Sequence, residues 1–135
     1  MYSYALLDHT ADVRLQVTAT TLEELFQGAV LGMATLLHSE NKENITISCD
    51  ISIESSSITS LLIDFLSEVL TLSHIHGALF TKITQMTLTE NSIAATIGAT
   101  KVEYFEKDVK AVTYHEADIV KIDPNTLQTI IVFDI

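Results

Sequence analysis

One stretch decides the fold: Val13-Arg14-Leu15-Gln16-Val17-Thr18-Ala19-Thr20-Thr21-Leu22-Glu23-Glu24-Leu25-Phe26. It does so because its hydrophobic period changes partway along. Over residues 13–19 apolar and polar side chains alternate, which is typical of a strand with one buried face. Thr20 and Thr21 each precede a glutamate by three residues, the spacing of a capping box at a helix start. Beyond them apolar residues recur at helical spacing to about Leu37. The stretch therefore predicts a strand that leads directly into an amphipathic helix.

A second strand and helix follow the first pair. Residues 45–53 alternate strictly, with isoleucines and Cys49 on one face and polar side chains on the other. Cys49 is therefore predicted to be a small core residue and not a nucleophile. Serines 55 to 57 can cap a second helix that starts near Ile58, and Gly77 is its predicted stop.

The rest of the chain predicts mainly strands. They are predicted over residues 79–89, 92–99, 110–122 and 127–135, with turns at 90–91 and 123–126. The charged stretch 100–108 has little periodicity and is predicted to be a solvated loop. This order of elements predicts an α+β fold, in which two helices pack on a mostly antiparallel, mixed β-sheet in a single two-layer domain over residues 1–135. The long crossovers leave room for one or two parallel pairings.

Size and composition limit the class of protein. The chain has 135 residues, 47% of them hydrophobic, which suits one compact domain with a real core. No apolar run approaches the roughly 20 residues needed to span a bilayer. The first residues lack the features of a secretory signal, and the lone cysteine excludes an internal disulfide and a thiolate zinc cluster. We therefore expect a cytoplasmic protein without a membrane partner.

The charge balance bears on possible partners. Eighteen acidic residues face seven Lys and Arg residues, for a formal net charge of −11. Such a balance opposes phosphate, so strong direct binding of nucleic acid is not expected. It suits a cation or a basic protein surface, although an acidic surface also serves simply to keep a small domain soluble.

The first candidate site lies just before the first predicted strand. On extended backbone Asp8, Thr10 and Asp12 share a face, with His9 between them. Carboxylates there are suitable oxygen ligands for Ca²⁺ or Mg²⁺. The alternative is that Asp8 and Thr10 satisfy backbone donors in a turn.

The second candidate site is at the other end of the sequence. Asp134 and the α-carboxylate of Ile135 place two ionised groups within one residue of each other. A cation between them and Asp12 would remove their repulsion. The alternative is a last strand that is simply paired in a sheet to its end.

The third candidate segment is Lys110-Ala111-Val112-Thr113-Tyr114-His115. Lys110 can bridge to a carboxylate or reach a phosphate, or it is an ordinary surface lysine. Tyr114 is predicted to be a packed aromatic residue with a satisfied hydroxyl. His115 can be a ligand or an acid–base group, although a histidine beside a sheet is more often a structural hydrogen bonder.

Two groups on the second predicted helix complete the candidates. His74 and His76 lie at its end, where imidazole interacts favourably with free carbonyls, and no third ligand for a metal is close in sequence. Asp64 and Glu68 are four residues apart and can form a paired-carboxylate face, although the apolar residues around them favour a solvated stripe.

Three segments together resemble the archease family: Asp8-His9-Thr10-Ala11-Asp12-Val13, residues 110–115 and the terminal Val132-Phe133-Asp134-Ile135. The resemblance runs almost from end to end of the chain. It implies that Asp12, Asp134 and Ile135 are ligands of a divalent cation, Ca²⁺ in the first place, with Mg²⁺ or Mn²⁺ as alternatives. It also implies that Asp8, His9, Lys110 and His115 belong to a surface that serves a partner.

The partner that the resemblance implies is an RtcB-type RNA ligase of tRNA splicing and RNA repair. The chain would then be an accessory protein that promotes guanylylation and multiple turnover of the ligase, and not an enzyme. A stand-alone metal-dependent hydrolase and a metal-independent, chaperone-like interaction module are the alternatives. The chain departs from the family's pattern at Ala99, where many archeases carry a glutamate, and in the short charged loop that follows.

Overall fold

The computed structural model describes residues 1–8, 12–39, 44–115 and 117–135 of the chain. These residues contain two helices and eight strands, in the order β1 (Tyr2–Asp8), β2 (Asp12–Ala19), α1 (Leu22–Leu37), β3 (Ile47–Glu54), α2 (Ile58–His76), β4 (Ala78–Leu88), β5 (Ser92–Lys101), β6 (Ala111–Thr113), β7 (Val120–Asp123) and β8 (Thr126–Asp134). The predicted α+β class is confirmed.

The strands form two sheets where the sequence predicted one mixed sheet. Sheet A has the order β1-β2-β8-β6, and β7 also pairs with β8. Sheet B has the order β3-β5-β4. Every pairing between described strands is antiparallel. The reason is that α1 carries the chain from sheet A to sheet B, and that α2 joins β3 to β4, which have β5 between them, so neither helical crossover joins adjacent parallel strands.

Both helices contact strands of both sheets. Helix α1 packs against β1 and β2 of sheet A and against β4 of sheet B. Helix α2 packs against β6 of sheet A and all three strands of sheet B. By length and mean hydropathy (1.4) α2 is apolar enough to cross a membrane. In this fold its apolar residues instead supply much of the core between the sheets.

The start of α1 agrees with the capping pattern in the sequence. The Thr21 hydroxyl accepts a hydrogen bond from the Glu24 N–H at 3.1 Å, which satisfies one free donor of the first turn. Farther along, Gly32 lets the helix approach sheet A closely, because a Cβ there would lie 2.7 Å from a Leu15 methyl carbon. Toward α2, the rings of Phe26 and Phe65 lie 5.8 Å apart. The helix is therefore packed against sheet A on one side and against α2 on another.

The end of α2 also agrees with the sequence. Gly77 has a φ of 59°, and its N–H donates to the Ser73 carbonyl, as expected for a left-handed helix cap. The two histidines before it have different partners: His74 Nε2 lies 3.2 Å from the Val109 carbonyl oxygen, and His76 Nε2 lies 3.8 Å from Cys49 Sγ.

Cys49 lies on the inward-facing side of β3 and is half-buried. Burial raises the pKa of its thiol, and the neighbouring Asp50 carboxylate raises it further. A raised pKa leaves little thiolate at neutral pH, in agreement with a packing role for this residue.

Strand β1 was not predicted from the sequence. It pairs antiparallel with β2, from Tyr2 opposite Ala19 to Asp8 opposite Val13. The Tyr4 hydroxyl lies 3.0 Å from Thr35 Oγ1 on α1. Two tyrosines alternating with small residues are a weak period-two signal, which identifies this strand only in retrospect.

The prediction of one strand over residues 110–122 is wrong. The region contains two short strands, β6 and β7, that pair with different parts of β8. Between them the described backbone leaves the ladder to make core contacts. Ala117 is buried, and its carbonyl accepts a hydrogen bond from Thr129 Oγ1 at 2.7 Å.

The predicted solvated loop after β5 is tied to the ends of both helices. The Glu106 N–H donates to the Leu37 carbonyl at 2.7 Å, and the Glu106 carboxylate accepts from the Ser39 N–H at 2.9 Å. That bond and a second one from the Ser39 hydroxyl lower the pKa of Glu106. Val109, at the far end of the segment, is completely buried. The segment is therefore held to the rest of the fold by hydrogen bonds and a buried side chain, although its composition is highly charged. It leads directly to Lys110.

The free edge of β4 provides a test of how α1 is attached to sheet B. Gln27 Nε2 donates to the Thr81 carbonyl at 3.0 Å, and Gln27 Oε1 accepts from the Ile83 N–H at 2.7 Å, where the β4–β5 register shifts. We expect Gln27→Ala to lower the free energy of unfolding by about 1–3 kcal/mol, because two hydrogen bonds to an edge strand are lost. Urea denaturation measures the change. Gln85→Ala, at an exposed position of the same strand, is the control; an equal effect of the two substitutions would contradict this account.

Candidate functional site

The candidate site lies where the β2–β8 ladder ends in sheet A. In this antiparallel pairing Asp12 lies directly opposite Asp134, and Val13 lies opposite Phe133. Directly opposite residues point to the same face of a sheet, with Cβ atoms about 4.5–5.5 Å apart. The structure therefore brings together two of the three predicted metal ligands from opposite ends of the sequence.

The remaining backbone at the site comes from β6. Ala111 lies opposite Asp134 on the other side of β8, and the Lys110 N–H donates to the Asp134 carbonyl at 2.7 Å. Lys110 is exposed, and Ile135 follows Asp134 directly with 38% of its surface exposed. The Lys110 backbone is thus fixed beside Asp134.

An apolar row lies behind the site, on the core face of sheet A. Val13, Phe133 and Val112 lie opposite one another on the face of sheet A that is turned toward the core, and all three are buried. Because side chains alternate along a strand, their burial forces Asp12 and Asp134 onto the opposite face. Asp12 is itself half-buried, and its Oδ1 atom exposes almost no surface, whereas Asp134 is exposed.

Two carboxylates directly opposite each other repel, and a cation that bridges them relieves the repulsion. Side-chain oxygens from Asp12 and Asp134, with the α-carboxylate of Ile135, form a donor set suited to hard divalent cations. In the described part of the chain, no group of three or more His, Cys, Asp or Glu side chains is arranged to hold a metal ion. The predicted set has two such side chains and a main-chain carboxylate, so metal binding stays a prediction that the donor chemistry fits.

The predicted shared face of Asp8, Thr10 and Asp12 depends on residues 9–11, which lie outside the described part of the chain. Strand β1 ends at Asp8 and pairs antiparallel with β2, which begins at Asp12. The register places the Asp8 backbone opposite Val13, next to the Asp12 position. His9 and Thr10 lie outside the described residues, and their predicted roles stay predictions.

The end of β6 is attached to α2 through a carboxylate. The Tyr114 hydroxyl donates to Asp64 Oδ1, and the Ser55 hydroxyl donates to Asp64 Oδ2 at 2.5 Å. The predicted satisfied hydroxyl of Tyr114 is thus confirmed, but the residue is 58% exposed instead of packed. His115 is also exposed, and its backbone N–H donates to Thr113 Oγ1 at 3.3 Å. Asp64, predicted to be solvated, is a structural acceptor that the helical pattern did not reveal.

Arg14 was not predicted to be part of the site. It lies two residues after Asp12 on the same face of β2, and it is half-buried. The alternation in residues 13–19 already placed it on the polar face, which was the available signal.

The fold and the site together define a class: a small acidic α+β protein with an aspartate pair at the end of the β2–β8 ladder. The model of the Archease protein family (MTH1598/TM1083) matches residues 4–135. The protein archease of Methanosarcina barkeri is 33% identical over 126 residues, covering 87% of this chain and 86% of that protein. This chain belongs to the archease family.

Two solved structures have a similar fold. The solution structure of Methanobacterium thermoautotrophicum protein 1598 has a TM-score of 0.72 and 24% identity, and it covers 98% of both chains. The crystal structure of an archease from Thermotoga maritima, described as a possible chaperone, has a TM-score of 0.63 and 23% identity, with coverage of 96% of this chain and 94% of that one.

The Tyr114–Asp64 bond can be tested by titration. The hydrogen bond to Asp64 raises the pKa of Tyr114, with smaller contributions from desolvation and from the Asp64 charge. Asp64→Asn should return that pKa toward its ordinary value, as measured by tyrosine absorbance at high pH in a chain with four tyrosines and no tryptophan. Glu68→Gln, one turn along α2 and exposed, should leave the titration unchanged.

The same pKa shift fixes the sign of a pH effect on stability. Because the folded-state pKa is raised, the bond stabilises the fold fully below the unfolded-state pKa of about 10, and its contribution is lost as pH rises through the folded-state value. The stability difference between wild type and Tyr114→Phe should therefore be present at neutral pH and disappear in alkaline solution. A difference that persists in alkaline solution would contradict the assignment.

Proposed function

We propose that this chain is a metal-binding activator of an RtcB-type RNA ligase in tRNA splicing and RNA repair, acting in the cytoplasm. It would promote guanylylation of the ligase and allow multiple turnover, as an accessory protein and not as an enzyme. Membership of the archease family supports the proposal. The single observation that carries it is the pairing of Asp12 with Asp134 at the end of the β2–β8 ladder.

The residues would act through position and charge. Asp12, Asp134 and the Ile135 carboxylate would hold a divalent cation, Ca²⁺ in the first place, with Mg²⁺ or Mn²⁺ as alternatives. When bound, the cation would supply positive charge that offsets negative charge on phosphate oxygens. Lys110, whose backbone is bonded to Asp134, would add a mobile ammonium at the rim of the site. Asp8, His9 and His115 would contribute to the surface that meets the ligase.

The charge of the whole chain supports a basic protein partner. A net charge of −11 favours approach to a positively charged pocket and opposes direct binding of RNA. A pocket that normally holds nucleotide and RNA phosphates has the complementary charge. We therefore propose that the sheet A end, with its aspartate pair, is the part that enters such a pocket.

The experiment is single-turnover guanylylation of the RtcB-type ligase of the same organism, with GTP and Mn²⁺, with and without this protein. Asp12→Ala and Asp134→Ala are each expected to abolish stimulation, because either change removes half of the carboxylate pair. Asp50→Ala, an exposed aspartate on a strand of sheet B, is the matched control and should stimulate as wild type does. Circular dichroism checks that the variants are folded.

Each result of this assay has a defined meaning. Stimulation that survives loss of Asp12 would keep the partner and refute the metal-site mechanism. Absence of stimulation by folded wild-type protein would refute the activator role itself.

The proposed use of the Ile135 carboxylate gives a further prediction. A short Gly-Ser extension after Ile135 replaces the α-carboxylate beside Asp134 with a neutral peptide group. We expect divalent-cation affinity, measured by calorimetry, and ligase stimulation both to fall by at least tenfold, since one ligand and one negative charge are lost. The same extension placed before Met1 is the control. Equal activity of the two extended proteins would show that the Ile135 carboxylate takes no part.

The second candidate function is an interaction module that acts without metal, in line with the Thermotoga maritima archease being described as a possible chaperone. It predicts that Asp12→Ala retains activity toward the partner. A metal-dependent hydrolase, the other alternative from the sequence, predicts turnover of phosphoester or ester substrates by the isolated protein. A substrate panel with added Ca²⁺, Mg²⁺ or Mn²⁺ separates it from both binding functions.

A further inference from the structure

Arg14 is the only arginine in the chain, and it lies beside the carboxylate pair. On β2, the residues that face the core are buried, and the alternate residues Asp12 and Arg14 share the other face. In the adjacent strand Arg14 lies opposite Val132, one diagonal step from Asp134. A lone arginine therefore shares its face of sheet A with both aspartates.

The separations suit a direct electrostatic interaction. Residues two apart on a strand are about 6.6 Å apart along it. Diagonal cross-strand neighbours lie about 7–8 Å apart, within reach of a long side chain. An arginine side chain at this position can therefore bring its guanidinium to either carboxylate, or to both.

Burial distinguishes Arg14 from an ordinary surface arginine. Its Nε atom and the Oδ1 atom of Asp12 both expose almost no surface. The neighbouring Val132 is only 3% exposed, although it lies on the face of sheet A turned away from the core. The aliphatic part of an arginine side chain covers apolar surface in this way. A permanently ionised group is thus held in a partly desolvated position next to two carboxylates.

We propose that Arg14 is the built-in counter-charge of the Asp12–Asp134 pair and that it sets the affinity of this site for divalent cations. Its positive charge offsets the repulsion between the two carboxylates in the metal-free protein. A divalent cation that binds the same carboxylates is repelled by the guanidinium and displaces it from them. The part of this inference that concerns affinity rests on the proposed cation site.

The magnitude follows from Coulomb's law. A single and a double positive charge about 7 Å apart repel by about 1 kcal/mol even at the dielectric constant of water, and more where water is partly excluded. Removing the charge at position 14 should therefore tighten cation binding by about tenfold or more. The effect should shrink as salt is added, because exposed parts of the site are screened.

The first experiment measures binding of CaCl₂ by titration calorimetry, with MgCl₂ and MnCl₂ as further arms. Arg14→Gln is expected to bind at least about tenfold more tightly than wild type, and Arg14→Lys, which keeps the charge, should stay near wild type. Lys82→Gln is the matched control: it removes the same charge from an exposed position on sheet B and should change nothing. Unchanged or weaker binding by Arg14→Gln would overturn the proposal.

The second experiment needs neither metal nor ligase. Thermal midpoints in EDTA are measured for wild type, Arg14→Gln, Asp12→Asn and the double variant. Arg14→Gln should lower the midpoint in the wild-type background and have much less effect when Asp12 is already neutral. The same shift in both backgrounds would overturn the counter-charge role. If no variant binds divalent cations, the cation site of the proposed function is refuted. The comparison of these four thermal midpoints then decides by itself whether the charge of Arg14 offsets the repulsion between Asp12 and Asp134.

Discussion

The register of the β2–β8 ladder is the constraint on which the rest of the structure depends. Leu15 and Val17 face the core opposite Ile131 and Thr129, and all four are buried. A slip of one residue would turn this whole row outward and carry Arg14 and Gln16 into the core, so the register is strongly specified. The position of Asp12 against Asp134 is therefore fixed by apolar residues farther along the strands. The geometry of the candidate site therefore depends on the packing of α1 against sheet A.

Local patterns in the sequence predicted the parts of the fold that local chemistry determines. Both helices agree with the prediction because their ends depend on nearby residues, such as the Thr21 cap and the left-handed Gly77. The identity of strand partners was not accessible in the same way. Alternation tells which face of a strand is buried but not which strand lies beside it, so two sheets were predicted as one. The break between β6 and β7 depends on tertiary bonds such as Thr129 to Ala117, which no local pattern encodes.

In the candidate site too, local chemistry was predictable from the sequence and contacts between distant segments were not. The residues of the site contain recognisable chemistry in the sequence, but Asp12 and Asp134 are far apart along the chain, and no local pattern shows that their strands pair with each other. Asp64 was misjudged because a helical pattern does not show that a tyrosine from a distant strand will donate to a carboxylate. The positively charged side chains are also not spread evenly over the fold. In a chain with seven Lys and Arg residues, Arg14 and Lys110 both lie at the acidic end of sheet A.

The order of strands in sheet A has a consequence for the synthesis of the protein. Strand β8 lies between β2 on one side and β6 and β7 on the other, so sheet A lacks its middle strand until residues 126–134 have left the ribosome. Sheet B is built from β3, β4 and β5, which come from one continuous region between residues 47 and 101. Because contacts close in sequence form at a lower entropic cost, we expect sheet B and α2 to fold first on the nascent chain. Until β8 is synthesised, one edge of the paired strands β1 and β2 stays unpaired and is accessible to chaperones and to aggregation. Strand β8 then completes both the core of sheet A and the pairing of Asp12 with Asp134.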